Sequence, residues 1–137
     1  MSEGFLRITD MRKHYGEGEA KVEVLRGITT SLSRGDICVL LGASGSGKST
    51  FLNLVGGLEH ADGGSIGIGD TELTTLSDHD LVEYRRSQLG FVFQFYNLVP
   101  DLTIRENIEV CEYLSPNPLP LDDLLESLGL TEHRTKF

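Results

Sequence analysis

Gly42-Ala43-Ser44-Gly45-Ser46-Gly47-Lys48-Ser49-Thr50 is the stretch on which the fold turns. It matches G-x-x-x-x-G-K-[S/T] at every position. The apolar run Ile37-Cys38-Val39-Leu40-Leu41 before it predicts a strand, and Lys48 through Val55 after it predicts a helix. Gly42, Gly45 and Gly47 permit backbone angles closed to bulkier residues, so successive N–H groups of the loop can converge on one anion. The helix beginning near Lys48 aims its free N–H groups and positive dipole end at the same point. Lys48 adds a mobile cation for β- and γ-phosphates, and the Ser49 hydroxyl can ligate magnesium. The plain alternative is a Gly/Ser-rich turn joining strand to helix. Such a turn needs one or two glycines, not this spacing closing on Lys-Ser. The stretch predicts a nucleoside triphosphate site, or descent from one.

Composition sets the outer bounds. At 137 residues the chain is one domain at most. With 12 basic and 21 acidic residues the net charge is −9, which argues against a nucleic-acid partner because no basic excess offsets phosphate. Cys38 in the predicted strand and Cys111 in a predicted helix read as reduced, core or half-buried thiols. Met1 to Phe5 carries no basic-then-apolar signal segment, and no apolar run approaches membrane-spanning length. The expected setting is the cytosol, with membrane contact only through a partner.

Working outward from the loop, Phe5–Thr9 alternates as a strand, and Arg12–Glu19 reads as a polar loop. Val22–Leu32 resumes a strand pattern, and Ser33-Arg34-Gly35-Asp36 is a tight turn. Gly56-Gly57 stops the helix after the loop, and Ser65–Ile68 is a short strand. Ser77 opens a helix lasting until Gly90, and Phe91-Val92-Phe93 reads as a compact strand. Thr103-Ile104-Arg105-Glu106 is a capping box opening a helix through about Cys111. Leu121–Leu130 carries apolar residues at helical spacing, with Gly129 as its stop.

Two side chains leave alternatives open. Tyr15 is either a strand-end tyrosine half-buried by packing or an aromatic plate for a nucleobase, and spacing does not choose. Gln94 opens a segment containing Phe95, Tyr96, Leu98 and Val99. Either these residues tuck beneath the domain, or they form an apolar docking loop while the glutamine amide oxygen reaches magnesium or water.

Gly42 through Glu59 resembles the nucleotide-binding subunit of ATP-binding cassette (ABC) transporters, and so does Leu89-Gly90-Phe91-Val92-Phe93-Gln94-Phe95-Tyr96-Asn97-Leu98-Val99-Pro100 with Asp101 to Asn107. The wording of both stretches is most similar to the lipoprotein-release and macrolide-export branch. The resemblance implies an α/β phosphate-loop NTPase fold with a RecA-like core and an N-terminal antiparallel β subdomain. It implies residues 1–36 as that subdomain, 37–95 as part of the core, and 96–137 as the glutamine loop and start of a helical subdomain. It further implies ATP and Mg2+ as cofactors. Tyr15 would stack on adenine, and Gly42, Ala43, Ser44, Gly45, Ser46, Gly47 and Lys48 would wrap the phosphates. Ser49 would hold magnesium, Thr50 would meet the α-phosphate, and Gln94 would touch the magnesium shell, so that Lys48 and Gln94 stand nearest the chemistry. The Gln94–Asp101 loop would face a membrane permease, a second nucleotide-binding subunit would complete the site, and the chain would sit peripherally on the inner face of the membrane.

The departures matter as much. No apolar run ends in Asp-Glu, no Leu-Ser-Gly-Gly-Gln occurs, and His133 lies outside the context of a catalytic histidine. The sequence therefore reads as an N-terminal fragment with an incomplete core, expected to bind ATP without hydrolysing it alone and to self-associate through unpaired strand edges. Rivals fare worse. A GTPase wants D-x-x-G and N-K-x-D, neither present, and a dinucleotide fold wants G-x-G-x-x-G, which fails at Thr50. A non-catalytic interaction module with a vestigial loop remains the alternative.

Overall fold

Alternation of apolar and polar residues builds the first strands, and one bulge corrects their phase. In the computed structural model, which describes residues 4–137, β1 (Leu6–Tyr15) buries Leu6 and Ile8 and then Met11. Strict period two would have placed Asp10 inside. Instead the register slips between Ile8 and Met11, and Asp10 absorbs the kink at φ 48°, so an acidic side chain is kept out and a methionine is turned in. β1 pairs antiparallel with β2 (Val22–Leu32), from Leu6 opposite Leu32 to Tyr15 opposite Val22. Its other edge takes β3 (Gly63–Ile68), with Ile8 opposite Ile66, and β4 (Thr71–Glu72) closes the sheet in the order β2-β1-β3-β4. Arg12–Tyr15, read from sequence as loop, thus belongs to β1. Its polar side chains fit a sheet margin that solvent reaches.

The chain divides into two compact units, with the boundary after Arg85. In the first, α1 (Lys48–Val55) sets Leu54 into the core with Ile8, Met11, Leu25, Ile66 and Leu73. Gly57 takes φ 64° where the chain leaves the helix, and α2 (Asp78–Gln88) adds Leu81 and Tyr84. The Tyr84 hydroxyl donates to the Val55 carbonyl at 3.1 Å. Burying each of these large apolar side chains contributes roughly 1.5–3 kcal/mol by removing its surface from water, which holds sheet and helices together.

Two expected strands are not formed. Residues 37–41 and 91–93 pair with no other strand among the described residues. An apolar run predicts a chain suited to a sheet, but a strand exists only where a neighbour completes its N–H and C=O ladder. Cys38, Leu40 and Leu41 border an apolar hollow of about 540 Å³ with Leu25, Leu32 and Phe51, and of residues 37–41 only Leu40 is half-buried. The thiols depart from expectation as well: Cys38 and Cys111 are both free and exposed.

The second unit is organised by α3 (Ile104–Glu112) and α4 (Leu121–Ser127). The capping box forms as its spacing predicts: the Glu106 N–H donates to Thr103 Oγ1 at 3.3 Å, and the Thr103 N–H donates to Glu106 Oε2 at 2.8 Å. Arg105 donates to Glu109 at 3.1 Å and to Asp122 at 3.0 Å, joining α3 to α4. Leu121 and Leu125 are buried, and Gly129 at φ 68° ends the last turn.

Candidate nucleotide-binding site

The loop before α1 is shaped by glycines at three places for two reasons, backbone angle and room. Gly47, the N-cap of α1, has φ 94°, and Gly45 has φ 77°, both in the left-handed region that favours glycine. Gly42 is different: it is absent from the positive-φ glycines, and it is small because a Cβ there would lie 2.5 Å from Ser46 Oγ. Gly47 is also hemmed in, since a Cβ would stand 2.9 Å from Leu25 Cδ2 and 3.1 Å from Val24 Cγ1. The loop is therefore seated directly on β2. The Ser46 N–H donates to the Ala43 carbonyl at 3.2 Å and tightens the turn between them.

No side chain caps α1 at Gly47, so the first N–H groups of the helix are not taken by a capping oxygen. Lys48 folds over the loop. Its Nζ donates to the carbonyls of Gly42 and Ala43, both at 2.7 Å, and to Ser46 Oγ at 3.3 Å. Ala43, Ser44 and Ser49 are exposed, and Thr50 is half-buried. The donor set is coherent: uncapped helix N–H groups, turned glycines, one ammonium and the exposed hydroxyls of Ser44, Ser46 and Ser49 in a nine-residue arc. Such an arc suits a polyanion and a hard cation with oxygen ligands.

Tyr15 stands at the end of β1 beside this helix. Its hydroxyl donates to Glu59 Oε2 at 2.6 Å, and Glu59 Oε1 accepts from Asn53 Nδ2 at 2.8 Å. Lys13 Nζ lies 5.4 Å from the Tyr15 ring centroid and 3.8 Å from Glu59 Oε2. The Glu59 carboxylate pushes the Tyr15 phenol above its ordinary value, against a smaller opposing effect from a bond with Thr50. Hydrogen bonds from Tyr15 and then Asn53 hold the Glu59 carboxyl below the usual range, outweighing its partial burial. Tyr15 keeps 42% of its surface exposed.

The structure thus gathers Tyr15, Gly42–Ser49 and Thr50 in the first unit, whereas Gln94 lies in the second, in an exposed irregular segment. Around it Phe91 and Phe93 stack at 5.4 Å, and Phe95, Tyr96 and Leu98 are exposed, which excludes the tucked-under alternative. The end of that segment is fixed by a residue that sequence reasoning assigned no role. Asn107 accepts the Val99 N–H at 2.8 Å and donates to the carbonyls of Val99, Leu102 and Thr103 at 3.0–3.1 Å. Glu59 and Asn53 were equally silent in sequence. They are six residues apart across a helix stop, a spacing with no periodic signal.

Comparison with known proteins bears on the family and the fold. The family model described as ABC transporter matches residues 25–137. The lipoprotein-releasing system ATP-binding protein LolD of Alcanivorax borkumensis is 47% identical over 131 residues, which cover 91% of this chain and 57% of that relative. The macrolide export ATP-binding/permease protein MacB of Shigella flexneri is 38% identical over 137 residues, covering 96% of this chain and 21% of the relative. Among solved structures, the dimeric post-hydrolysis state of the ATP-binding cassette MJ0796 bound to ADP and Pi superposes with a TM-score of 0.81 at 30% identity, over 95% of this chain and 60% of that one. The chain spans little more than half the length of the LolD relative, and its antiparallel sheet, phosphate loop and helices are those of a cassette ATPase in part. On sequence and fold together, the chain belongs to the ABC transporter family.

Proposed function

We propose that this chain binds ATP with Mg2+ through residues 42–50 and serves a membrane transporter of the LolD or MacB kind. The observation that carries the reading is the pose of Lys48, whose ammonium spans the loop carbonyls at the uncapped start of α1. Gly42, Ala43, Ser44, Gly45, Ser46 and Gly47 would present backbone N–H groups to the phosphates, and Lys48 would transfer its ammonium from the carbonyls to phosphate oxygens. Ser49 would hold magnesium, which when bound supplies charge neutralisation at the phosphate oxygens. Thr50 would meet the α-phosphate, and Tyr15 would offer its ring to the base.

In this reading residues 1–36, 37–95 and 96–137 keep the division into β subdomain, core part and glutamine-loop part. The Gln94–Asp101 segment, with its exposed Phe95, Tyr96 and Leu98, is the face offered to a permease. A second nucleotide-binding subunit would stand across the phosphate loop. Among the described residues no helix is long and apolar enough to cross a membrane, so attachment would run through the permease on the cytoplasmic side. Hydrolysis requires a carboxylate beside the attacking water and a clamp on the γ-phosphate. The sequence contains neither the Asp-Glu strand end nor the Leu-Ser-Gly-Gly-Gln signature that would supply them, so the chain alone is proposed not to turn over. The unpaired runs 37–41 and 91–93 favour self-association.

The test is titration with a fluorescent ATP analogue, with and without magnesium, beside Lys48→Ala. Loss of one charge-assisted phosphate contact, about 1.5–3 kcal/mol, corresponds to a weakening of about tenfold or more. Saturable binding that Lys48→Ala weakens by that amount supports a working phosphate loop. Absence of binding by the intact chain would favour an interaction module whose active surface is the aromatic segment around Gln94.

A further inference from the structure

We propose that Glu59 is a positioning residue for nucleobase recognition: its carboxylate fixes the Tyr15 ring against α1 and so sets the affinity for a purine. The inference rests on the nucleotide-binding reading of the phosphate loop and deepens it.

Tyr15 is the last residue of β1, and its ring would keep rotamer freedom if its hydroxyl were unheld. The hydroxyl is held at 2.6 Å by one oxygen of Glu59, and the other oxygen is held at 2.8 Å by Asn53 of α1. One carboxylate thereby ties the margin of the sheet to the helix that opens at the phosphate loop. Glu59 itself follows the Gly56-Gly57 stop, and the residue before it, Leu58, donates its N–H at 2.8 Å to the carbonyl of Asn53, the same helix residue that the Glu59 side chain contacts. Lys13 completes the arrangement. Its ammonium donates to the His60 carbonyl at 2.8 Å and stands within 3.8 Å of the Glu59 carboxylate and 5.4 Å of the ring. The remaining exposed ring surface is a flat plate whose hydroxyl also bonds the Thr50 side chain at the start of α1. A ring fixed in advance binds a base without the ordering cost a free one would incur.

The chemistry of the carboxylate makes the idea discriminating. An ionised Glu59 accepts from both Tyr15 and Asn53, one oxygen each. A glutamine keeps its oxygen for Asn53 and can hold Tyr15 only by donating its amide N–H to the phenol oxygen, so a neutral bond of reversed direction replaces the charge-assisted one. Phenylalanine at position 15 keeps the plate but removes the tether.

The experiment is isothermal titration of the full chain with ATP and, separately, with inorganic tripolyphosphate, for wild type, Glu59→Gln, Glu59→Ala, Tyr15→Phe and the Glu59→Ala/Tyr15→Phe double variant. Far-UV circular dichroism of each variant confirms its fold. The expected result is a fivefold to tenfold loss of ATP affinity in Glu59→Ala and in Tyr15→Phe, no further loss in the double variant, and tripolyphosphate affinity within twofold of wild type throughout. Glu59→Gln is expected between wild type and Glu59→Ala. Parallel losses for ATP and tripolyphosphate would overturn the inference, because Glu59 would then support the loop as a whole. Unchanged ATP affinity in Glu59→Ala would overturn it while leaving the phosphate site intact. A wild-type chain binding neither compound would overturn the nucleotide reading and the inference with it.

Discussion

Two glycines in the phosphate loop share a left-handed backbone but not their surroundings, and substituting each by alanine separates the two causes. Gly45 has φ 77° and nothing within 4 Å of where a Cβ would stand. Gly45→Ala therefore adds only the left-handed penalty of about 1–2 kcal/mol for an L-residue. Gly47 has φ 94°, and its new Cβ would stand 2.9 Å from Leu25 Cδ2, 3.1 Å from Val24 Cγ1 and 3.4 Å from the Val24 carbonyl. Leu25 Cδ2 ends a flexible side chain beside the apolar hollow, but Val24 is β-branched and held in β2, so the new Cβ stays crowded from that side even where Leu25 turns away. Overpacking of this kind adds roughly 1–3 kcal/mol to the backbone term, for a total of about 2–5 kcal/mol. Equilibrium urea unfolding followed by far-UV circular dichroism measures both. With a slope of about 1–3 kcal/mol per molar urea, Gly47→Ala should lower the midpoint by about 1 M or more, and Gly45→Ala by half that or less. Equal shifts would refute the reasoning, since they would mean that β2 does not form the seat of the loop.

Three further outcomes follow from the packing. Leu54→Ala, removing a side chain only 1% exposed where α1 meets the sheet, should cost about 2–5 kcal/mol in the same unfolding assay. Burial pushes the Tyr84 phenol up to about 12, so the unfolded chain ionises near pH 10 while the folded one holds its proton. Stability is then full below pH 10 and falls by up to about 1.4 kcal/mol per pH unit as pH rises toward 12. Tyr84→Phe should flatten that decline in a pH series of denaturant melts. Thr103→Ala breaks the capping box and should destabilise α3 by about 1 kcal/mol, read as faster amide exchange in residues 104–107 and not in α1.

What sequence made legible was whatever depends on neighbours along the chain. The phosphate loop, the helix it opens, the Gly56-Gly57 stop and the Thr103 capping box are each written in adjacent residues, and each formed where its residue types place it. What stayed hidden depends on partners across space. Nothing local distinguishes Ile37–Leu41 or Phe91–Phe93 from formed strands, because their failure lies in the missing neighbour. The bulge at Asp10 was invisible for a related reason: period two says which residues prefer burial, not where a strand will shift to achieve it. Asp10 outside and Met11 inside are a single compromise between pleat and polarity. At the site, the loop could be read residue by residue, while the tie between Tyr15, Glu59 and Asn53 required the fold.

The two carbonyl bonds of Lys48 carry a kinetic corollary. On the proposed reading, an arriving triphosphate would not meet a waiting cation; it would have to displace a lysine already engaged at 2.7 Å by two backbone oxygens. Association then has two stages, diffusion to the loop and release of the side chain. At high ligand concentration the observed rate would level off at the frequency with which Lys48 lets go, and that plateau, rather than the affinity, would report the strength of the loop's grip on its own lysine.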